Sequence, residues 1–121
     1  MPYHSWHDLP YTKIFLCDFE FHGDDADLKT PVCLVIRELR SGKIYRYWHD
    51  ELFTMKAAPF STGPEVLWVA YYSSAEWGIF HQLGWKVPER ILDCFTEFSC
   101  ETNGQEPPGS RSLLGALNYF K

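Results

Sequence analysis

Residues 13–21 read KIFLCDFEF, and this stretch decides the fold class. Its side chains alternate in character with a period of two residues, which predicts a β-strand. One face of that strand is entirely apolar and consists of Phe15, Cys17, Phe19 and Phe21. The opposite face carries Leu16, Asp18 and Glu20. We therefore expect a strand that buries one face in a core and presents two carboxylates on the other.

Two more strands are predicted to follow, after a polar turn at residues 23–30. Residues 31–39, PVCLVIREL, are apolar enough for a central strand, and residues 40–43, RSGK, form a tight turn. Residues 43–52, KIYRYWHDEL, then alternate again. Their two faces are Ile44, Arg46 and Trp48 on one side and Tyr45, Tyr47 and His49 on the other. The three runs predict an antiparallel meander.

The second half of the chain mixes strands with helices. Residues 65–72, EVLWVAYY, predict a strand that is covered on both faces. Ser73 or Ser74 can cap a helix that runs to about Leu83, and Gly84 ends it. Residues 90–98, RILDCFTEF, predict a strand that passes into a short helix or turn. A final helix is indicated by the helical spacing of Leu113, Leu114, Leu117 and Phe120.

This order predicts an α/β fold with a mixed sheet. The sheet is an antiparallel three-strand meander followed by strand–helix–strand, and a final helix completes the order. Residues 1–12 are expected to form a loose N-terminal arm, and residues 13–121 a single domain that stops inside its last helix. That helix then lacks partners for its apolar face, so we expect self-association or a partner chain that supplies the missing helices.

Composition limits the class of protein. The formal net charge of −5 argues against a broad basic surface for nucleic acid, but it is compatible with an acidic cleft that a divalent cation neutralises. No apolar run is long enough to span a membrane and no secretory signal is present, so we expect a cytoplasmic protein without membrane contact. No C-x-x-C pair occurs, and we interpret the cysteines as free thiols: Cys17, Cys33, Cys94 and Cys100.

Asp18 and Glu20 are the most informative polar residues. On a strand, residues i and i+2 point the same way with Cα atoms about 6 to 7 Å apart, so their charges repel each other. A cation with oxygen ligands, Mg²⁺ or Mn²⁺, would relieve this repulsion. The alternative is that the pair marks the solvent end of an edge strand. Glu76, on the helix after the fourth strand, adds a third carboxylate to the metal interpretation.

The ordered set of motifs resembles the 3′–5′ proofreading exonuclease domain of A-family DNA polymerases, the bacterial DNA polymerase I type. These domains are DEDD exonucleases with a ribonuclease H-like fold. The family's first motif, D-x-E in the first strand, matches Asp18 and Glu20. Its second motif matches residues 67–80, LWVAYYSSAEWGIF, with Glu76 where the family has Asp. Residues 91–98 match the next strand, with Asp93 in its D-T-M position, and residues 111–121 match the S-L-x-x-x-L helix.

The resemblance implies two-metal hydrolysis of the terminal phosphodiester at a single-stranded or frayed DNA 3′ end, with Mg²⁺ or Mn²⁺ as cofactor. Asp18 would contact both metal ions, Glu20 one ion and the 3′ end, and Glu76 the outer ion through water. Phe19, Tyr71 and Tyr72 are the candidates for contact with nucleic acid, because aromatic rings stack on unpaired bases. Asp93 is expected to be structural and near the site.

Two departures from the family pattern leave alternatives open. Glu76 is one methylene longer than the family's Asp, and the third motif, Y-x-x-x-D or H-x-x-x-D, is absent because no acidic residue follows Glu106. One alternative is a non-catalytic ribonuclease H-like module that binds DNA or a polymerase partner. Another is an unrelated small α/β interaction domain in which D-x-E occurs by chance.

Overall fold

The computed structural model describes residues 5–23, 30–103, 105 and 110–120. This part of the chain forms a five-stranded sheet with flanking helices. The strands are β1 (Lys13–His22), β2 (Thr30–Glu38), β3 (Ile44–Trp48), β4 (Val66–Ala70) and β5 (Ile91–Asp93). The helices are α1 (His49–Thr54), α2 (Ser74–Gln82), α3 (Cys94–Glu101) and α4 (Leu113–Tyr119), and a 3-10 turn spans Trp6–Asp8. Residues 24–29 of the turn predicted at 23–30, and residues 104 and 106–109 of the loop before α4, lie outside the described residues.

The sheet is mixed, with the strand order β3-β2-β1-β4-β5. β1, β2 and β3 pair antiparallel in sequence order, as the meander predicts. The chain then returns to the other edge of β1, where β4 pairs parallel to β1 and β5 parallel to β4. The predicted α/β architecture with a mixed sheet is therefore confirmed.

One face of the sheet builds the main core. Phe15, Cys17 and Phe19 all point into it, which confirms the period of two in β1. From α2, Ile79 and Phe80 pack onto the same face, and both are fully buried. Because this face buries large aromatic and aliphatic side chains, it supplies most of the stabilisation from apolar burial.

Among the described residues, the second face is covered only at one end. A smaller cluster of Ile14, Leu67 and Val69 is capped there by residues of the N-terminal arm, including Trp6 and Leu9. The Arg40 guanidinium donates hydrogen bonds to the carbonyl oxygens of His7, Leu9 and Tyr11 at 3.2, 2.8 and 3.0 Å. The described part of the arm is thus docked on the sheet, which corrects the expectation of a loose segment.

One predicted strand is shorter than expected. The run at residues 43–52 leaves the sheet after Trp48 and turns into α1, where Leu52 is fully buried and the Glu51 carboxylate accepts a hydrogen bond from the Trp48 N–H at 3.4 Å. The run at residues 90–98 forms β5 and then α3, which Asp93 caps, so the predicted passage from strand to helix is confirmed. In both places a carboxylate accepts a hydrogen bond from the backbone N–H at the start of a helix, and this contact favours the helix there. The predicted end of α2 is confirmed by Gly84, at φ +73°.

The cysteines and the helices bear on two further predictions. All four cysteines are free, as expected, and range from buried Cys17 to exposed Cys100. Burial, followed by the charges of Glu76 and Asp18, raises the pKa of the Cys17 thiol, so this side chain stays protonated and inert. None of the helices in the described ranges is long and apolar enough to cross a membrane.

Glu38 is a buried carboxylate that links β1, β2 and the turn after β2 through hydrogen bonds. Its side chain is 4% exposed and accepts hydrogen bonds from the backbone N–H groups of Ile14 at 3.1 Å, Arg40 at 2.9 Å and Ser41 at 2.8 Å. Burial by itself raises the pKa of Glu38, but these donors outweigh it and lower the pKa to about 2. The charged form is therefore part of the folded structure.

We expect Glu38→Gln to lower the free energy of unfolding by about 2 kcal/mol at pH 7, because an amide NH₂ replaces one acceptor oxygen opposite a buried N–H donor. The pKa of Glu38 is lower in the folded than in the unfolded chain, so the ionised group stabilises the fold above pH 4.5, its ordinary pKa. That contribution is lost as the pH falls from 4.5 to about 2. Urea denaturation between pH 7 and pH 2 measures both effects, with exposed Glu97→Gln as the control. Equal stability of the Glu38 and Glu97 variants would contradict this role.

Candidate functional site

Asp18 and Glu20 lie on the central strand, beyond the point where its parallel neighbour stops. β4 pairs with β1 from Lys13↔Val66 to Leu16↔Val69, so the second half of β1 extends past this register. From β1 the chain winds to β2 and β3 on one side, whereas β4 and β5 are added on the other. The crevice at the carboxyl ends of strands, where the winding changes direction, is the usual place for ligands in α/β proteins.

The two carboxylates act on each other as the sequence predicts. Both side chains are exposed and lie on the same face of β1. Partial burial, then the charge of Glu20 and a hydrogen bond between the two carboxyl groups, raise the pKa of Asp18. Asp18 therefore holds its proton more tightly than an isolated carboxylate does, and a bound cation would relieve the same repulsion.

Glu76 approaches the same strand from α2 but is placed differently. It lies in the first turn of α2 and is 4% exposed. Its Oε1 accepts a hydrogen bond from the backbone N–H of Phe19 at 3.4 Å. Phe19 stands between Asp18 and Glu20, so Glu76 reaches the main chain between the two other carboxylates. This contact holds the N-terminal end of α2 against β1 where β4 no longer pairs with it.

The three carboxylates are only partly assembled for metal binding. Within residues 5–23, 30–103, 105 and 110–120, no group of three or more His, Cys, Asp and Glu side chains is arranged to hold a metal ion. Asp18 and Glu20 offer adjacent carboxylate oxygens, the donors that Mg²⁺ and Mn²⁺ prefer, and their mutual repulsion favours a cation. The residues present thus fit one divalent ion held by this pair, while Glu76 is engaged with the backbone.

Asp93, which was expected to be structural, is the main hydrogen-bond acceptor beside the site. Its carboxylate caps α3 by accepting from the Phe95 N–H at 2.9 Å and the Thr96 N–H at 3.4 Å. It also accepts from the Tyr72 N–H at 3.0 Å, the Ser73 N–H at 2.9 Å and the Ser73 hydroxyl at 2.9 Å. Burial alone raises the pKa of Asp93, but these donors lower it overall. Asp93 therefore fixes the turn between β4 and α2, the helix that carries Glu76.

The link between Ser73 and Asp93 was not predicted from the sequence. Ser73 was a candidate N-cap of α2, yet its side chain makes no capping hydrogen bond and its hydroxyl goes to Asp93 instead. The sequence alone does not predict this contact between residues 20 positions apart, because the contact forms only when β5 pairs with β4.

The three predicted nucleic-acid contacts have different environments. Phe19 is 2% exposed and its ring belongs to the main core, which corrects its assignment to a stacking surface. The Tyr71 hydroxyl donates to the carbonyl oxygens of Arg111 and Ser112, so this side chain holds the start of α4. Tyr72 is 55% exposed, packs edge-on against Phe95 and has a φ of +61°. Of these three rings, Tyr72 alone is presented to solvent, on a strained backbone typical of functional turns.

The comparisons with known proteins yield no relative. No family model matches the sequence, and no curated protein is significantly similar to it. A functional assignment for this chain depends on its sheet topology and on the chemistry of Asp18, Glu20 and Glu76.

Proposed function

We propose that this chain is a ribonuclease H-like domain of the 3′–5′ DNA exonuclease type, as found in DNA polymerases, which acts on a single-stranded or frayed 3′ end. The main support is the position of Asp18 and Glu20, which stand side by side on the central strand where the sheet changes its direction of winding. The antiparallel meander followed by strand–helix–strand is the order that the resemblance implies. If the D-x-E motif had occurred by chance, nothing would favour its position at this point of a mixed sheet.

The chemistry follows from what each residue can do. Asp18 and Glu20 would hold Mg²⁺ or Mn²⁺, and the bound ion would neutralise phosphate charge and make water more nucleophilic. Glu76 keeps the start of α2 against the main chain of Phe19, so the strand that carries the pair is held in place between Asp18 and Glu20. Tyr72 stands at the end of β4 with its ring exposed and is placed to stack on an unpaired base.

The direct test is a nuclease assay with a single-stranded DNA oligonucleotide labelled at its 5′ end. We expect stepwise shortening from the 3′ end in Mn²⁺, because this ion tolerates less ideal geometry than Mg²⁺. EDTA should stop the reaction, and Asp18→Ala should remove it in a protein that still folds. If the folded wild-type protein leaves the DNA intact in both Mn²⁺ and Mg²⁺, the catalytic proposal is rejected.

A non-catalytic ribonuclease H-like module is the second candidate, and one observation favours it. Glu76 is buried and bonded to the Phe19 N–H, and the described residues contain no assembled group of three metal ligands. The departure from Asp at this position also lengthens the side chain. Such a module would keep DNA or polymerase binding while leaving the DNA intact in the nuclease assay.

The apolar face of α4 supports the proposal of a partner chain or of self-association. Leu113, Leu114, Leu117 and Phe120 are 53%, 72%, 60% and 59% exposed. Leu113, Leu117 and Phe120 border a groove between α3 and α4 with a volume of about 490 Å³. Side chains of this size are seldom left uncovered together on a monomer surface.

A further inference from the structure

In the described part of the chain, the second face of the sheet is open over β3, β2 and the end of β1. Directly opposed residues form two rows across these strands, Trp48–Cys33–Glu20 and Arg46–Val35–Asp18. A third row, Ile44–Arg37–Leu16, lies beside them. The small cluster that covers this face elsewhere is confined to the other end, next to the N-terminal arm. Two of these rows run from β3, at the edge of the sheet, to the two carboxylates on β1. The distance from β3 to β1 is about 10 Å, because neighbouring strands lie about 4.8 Å apart.

Positive charge is concentrated in one stretch of this acidic protein, at the β2–β3 side of the open face. Four of the 11 lysines and arginines fall within residues 37–46, although the chain as a whole has a net charge of −5. Arg40 is engaged with the N-terminal arm. Arg37 and Arg46 are exposed, and neither has a salt-bridge partner among the described residues. Two guanidinium groups therefore stand on the part of the open face nearest β3, and neither forms an ion pair within the described residues.

An exposed indole lies next to these charges. Trp48 is 61% exposed, whereas the core residues Trp68 and Trp85 are buried. A shallow depression of about 230 Å³ runs beside its ring and is lined by Cys33, Val35 and Arg46, among others. An exposed aromatic ring beside arginines is the combination with which proteins hold unpaired bases and the phosphates that join them.

We propose that this open face binds single-stranded DNA, with Trp48 stacked on a base and with Arg46 and Arg37 on neighbouring phosphates. This inference rests on the proposed function. The bound DNA runs along these rows of residues so that its 3′ end reaches Asp18 and Glu20. Stacking requires an unpaired base, so the surface selects single strands over duplex. The arginines also attract the DNA toward carboxylates that would repel it in the absence of a cation.

Fluorescence anisotropy with a labelled oligothymidylate of about ten nucleotides tests this surface, in EDTA so that no cleavage occurs. We expect Trp48→Ala to weaken binding at least about fivefold and Arg46→Ala about threefold, with a shallower salt dependence for Arg46→Ala. Phe53→Ala and Arg90→Ala are matched controls, since Phe53 is 61% exposed on α1 and Arg90 lies at the opposite edge of the sheet. Quenching of tryptophan fluorescence by unlabelled DNA should disappear in Trp48→Phe. All the substituted side chains are exposed, so the variants should keep the wild-type melting temperature.

The outcomes separate this proposal from the nuclease proposal. Binding that depends on Trp48 and Arg46 without any cleavage supports the surface and rejects catalysis. Cleavage with binding that is insensitive to these substitutions rejects the surface and retains catalysis. Absence of measurable DNA binding overturns the surface, and so does an effect of the variants on sedimentation alone, which would identify the face as a protein interface.

Discussion

Asp18→Asn is expected to reduce nucleotide release from a DNA 3′ end by at least about 100-fold, because it removes one of two charges that hold the cation at the phosphate. The same change should not weaken the fold. The pKa of Asp18 is raised in the folded chain, first by burial and then by Glu20, so its ionised form is less favourable there than in the unfolded chain. At pH 7 the asparagine variant should therefore be at least as stable as the wild type.

Loss of activity together with unchanged or higher stability distinguishes a chemical role for Asp18 from a structural one. The stability gain has a defined pH dependence: it is present when Asp18 is ionised and disappears as the pH falls below the pKa of the unfolded carboxyl group. Asp50→Asn is the matched control, since the Asp50 side chain is 86% exposed and its carboxylate contacts His49. Thermal melts and single-turnover cleavage of the same preparations provide the comparison. Full activity of Asp18→Asn would show that the carboxylate pair is not the catalytic centre.

Asp93→Ala is expected to lower the free energy of unfolding by about 3 kcal/mol, the largest effect on stability that we predict. The substitution removes the cap of α3 and leaves the Tyr72 and Ser73 N–H groups without their acceptor. It also removes the contact that holds Tyr72 at a φ of +61°, so the turn into α2 should relax.

Asp93→Asn is the variant to compare with Asp93→Ala. Asparagine is a good N-cap and keeps one acceptor oxygen, so we expect a loss of about 1 kcal/mol. The pKa of Asp93 is lowered in the folded chain, so its stabilising contribution is present above the unfolded pKa and is lost as the pH falls through the folded value. Guanidinium denaturation of both variants at pH 7 gives the two free energies. Equal losses for alanine and asparagine would mean that the cap and the turn contacts contribute little.

Sequence periodicity predicted the elements whose burial is regular. The alternation in residues 13–21 identified β1 and its core face, and the serines and Gly84 bracketed α2 within a residue or two. The same alternation assigned Arg46 and Trp48 to one face of β3, which the register confirms. In these stretches, side chains that are one period apart lie in the same environment. The local sequence pattern and the tertiary packing therefore agree.

The prediction was wrong for residues 43–52, which were assigned to one continuous strand. Glu51 accepts a hydrogen bond from the Trp48 N–H, and the run changes from strand to helix there. At residues 90–98 the predicted passage from strand to helix is confirmed, and Asp93 accepts a hydrogen bond from the Phe95 N–H at that point. Period-two and helical patterns overlap in short apolar runs, so the hydrogen-bond partner of the backbone decides between them. The N-terminal arm was likewise assigned as loose because Arg40, which binds it, is remote in sequence.

The sequence by itself determined the α/β class, the antiparallel meander and the shared face of Asp18 and Glu20, since these depend on the fixed periods of strands and helices. Only the tertiary structure decided that Glu76 bonds to the Phe19 N–H, that Asp93 joins two helix starts and that Phe19 is core. Those facts depend on which strand lies beside which and on where β4 stops along β1. Contacts between residues distant in sequence have no local signal, because chain topology creates them.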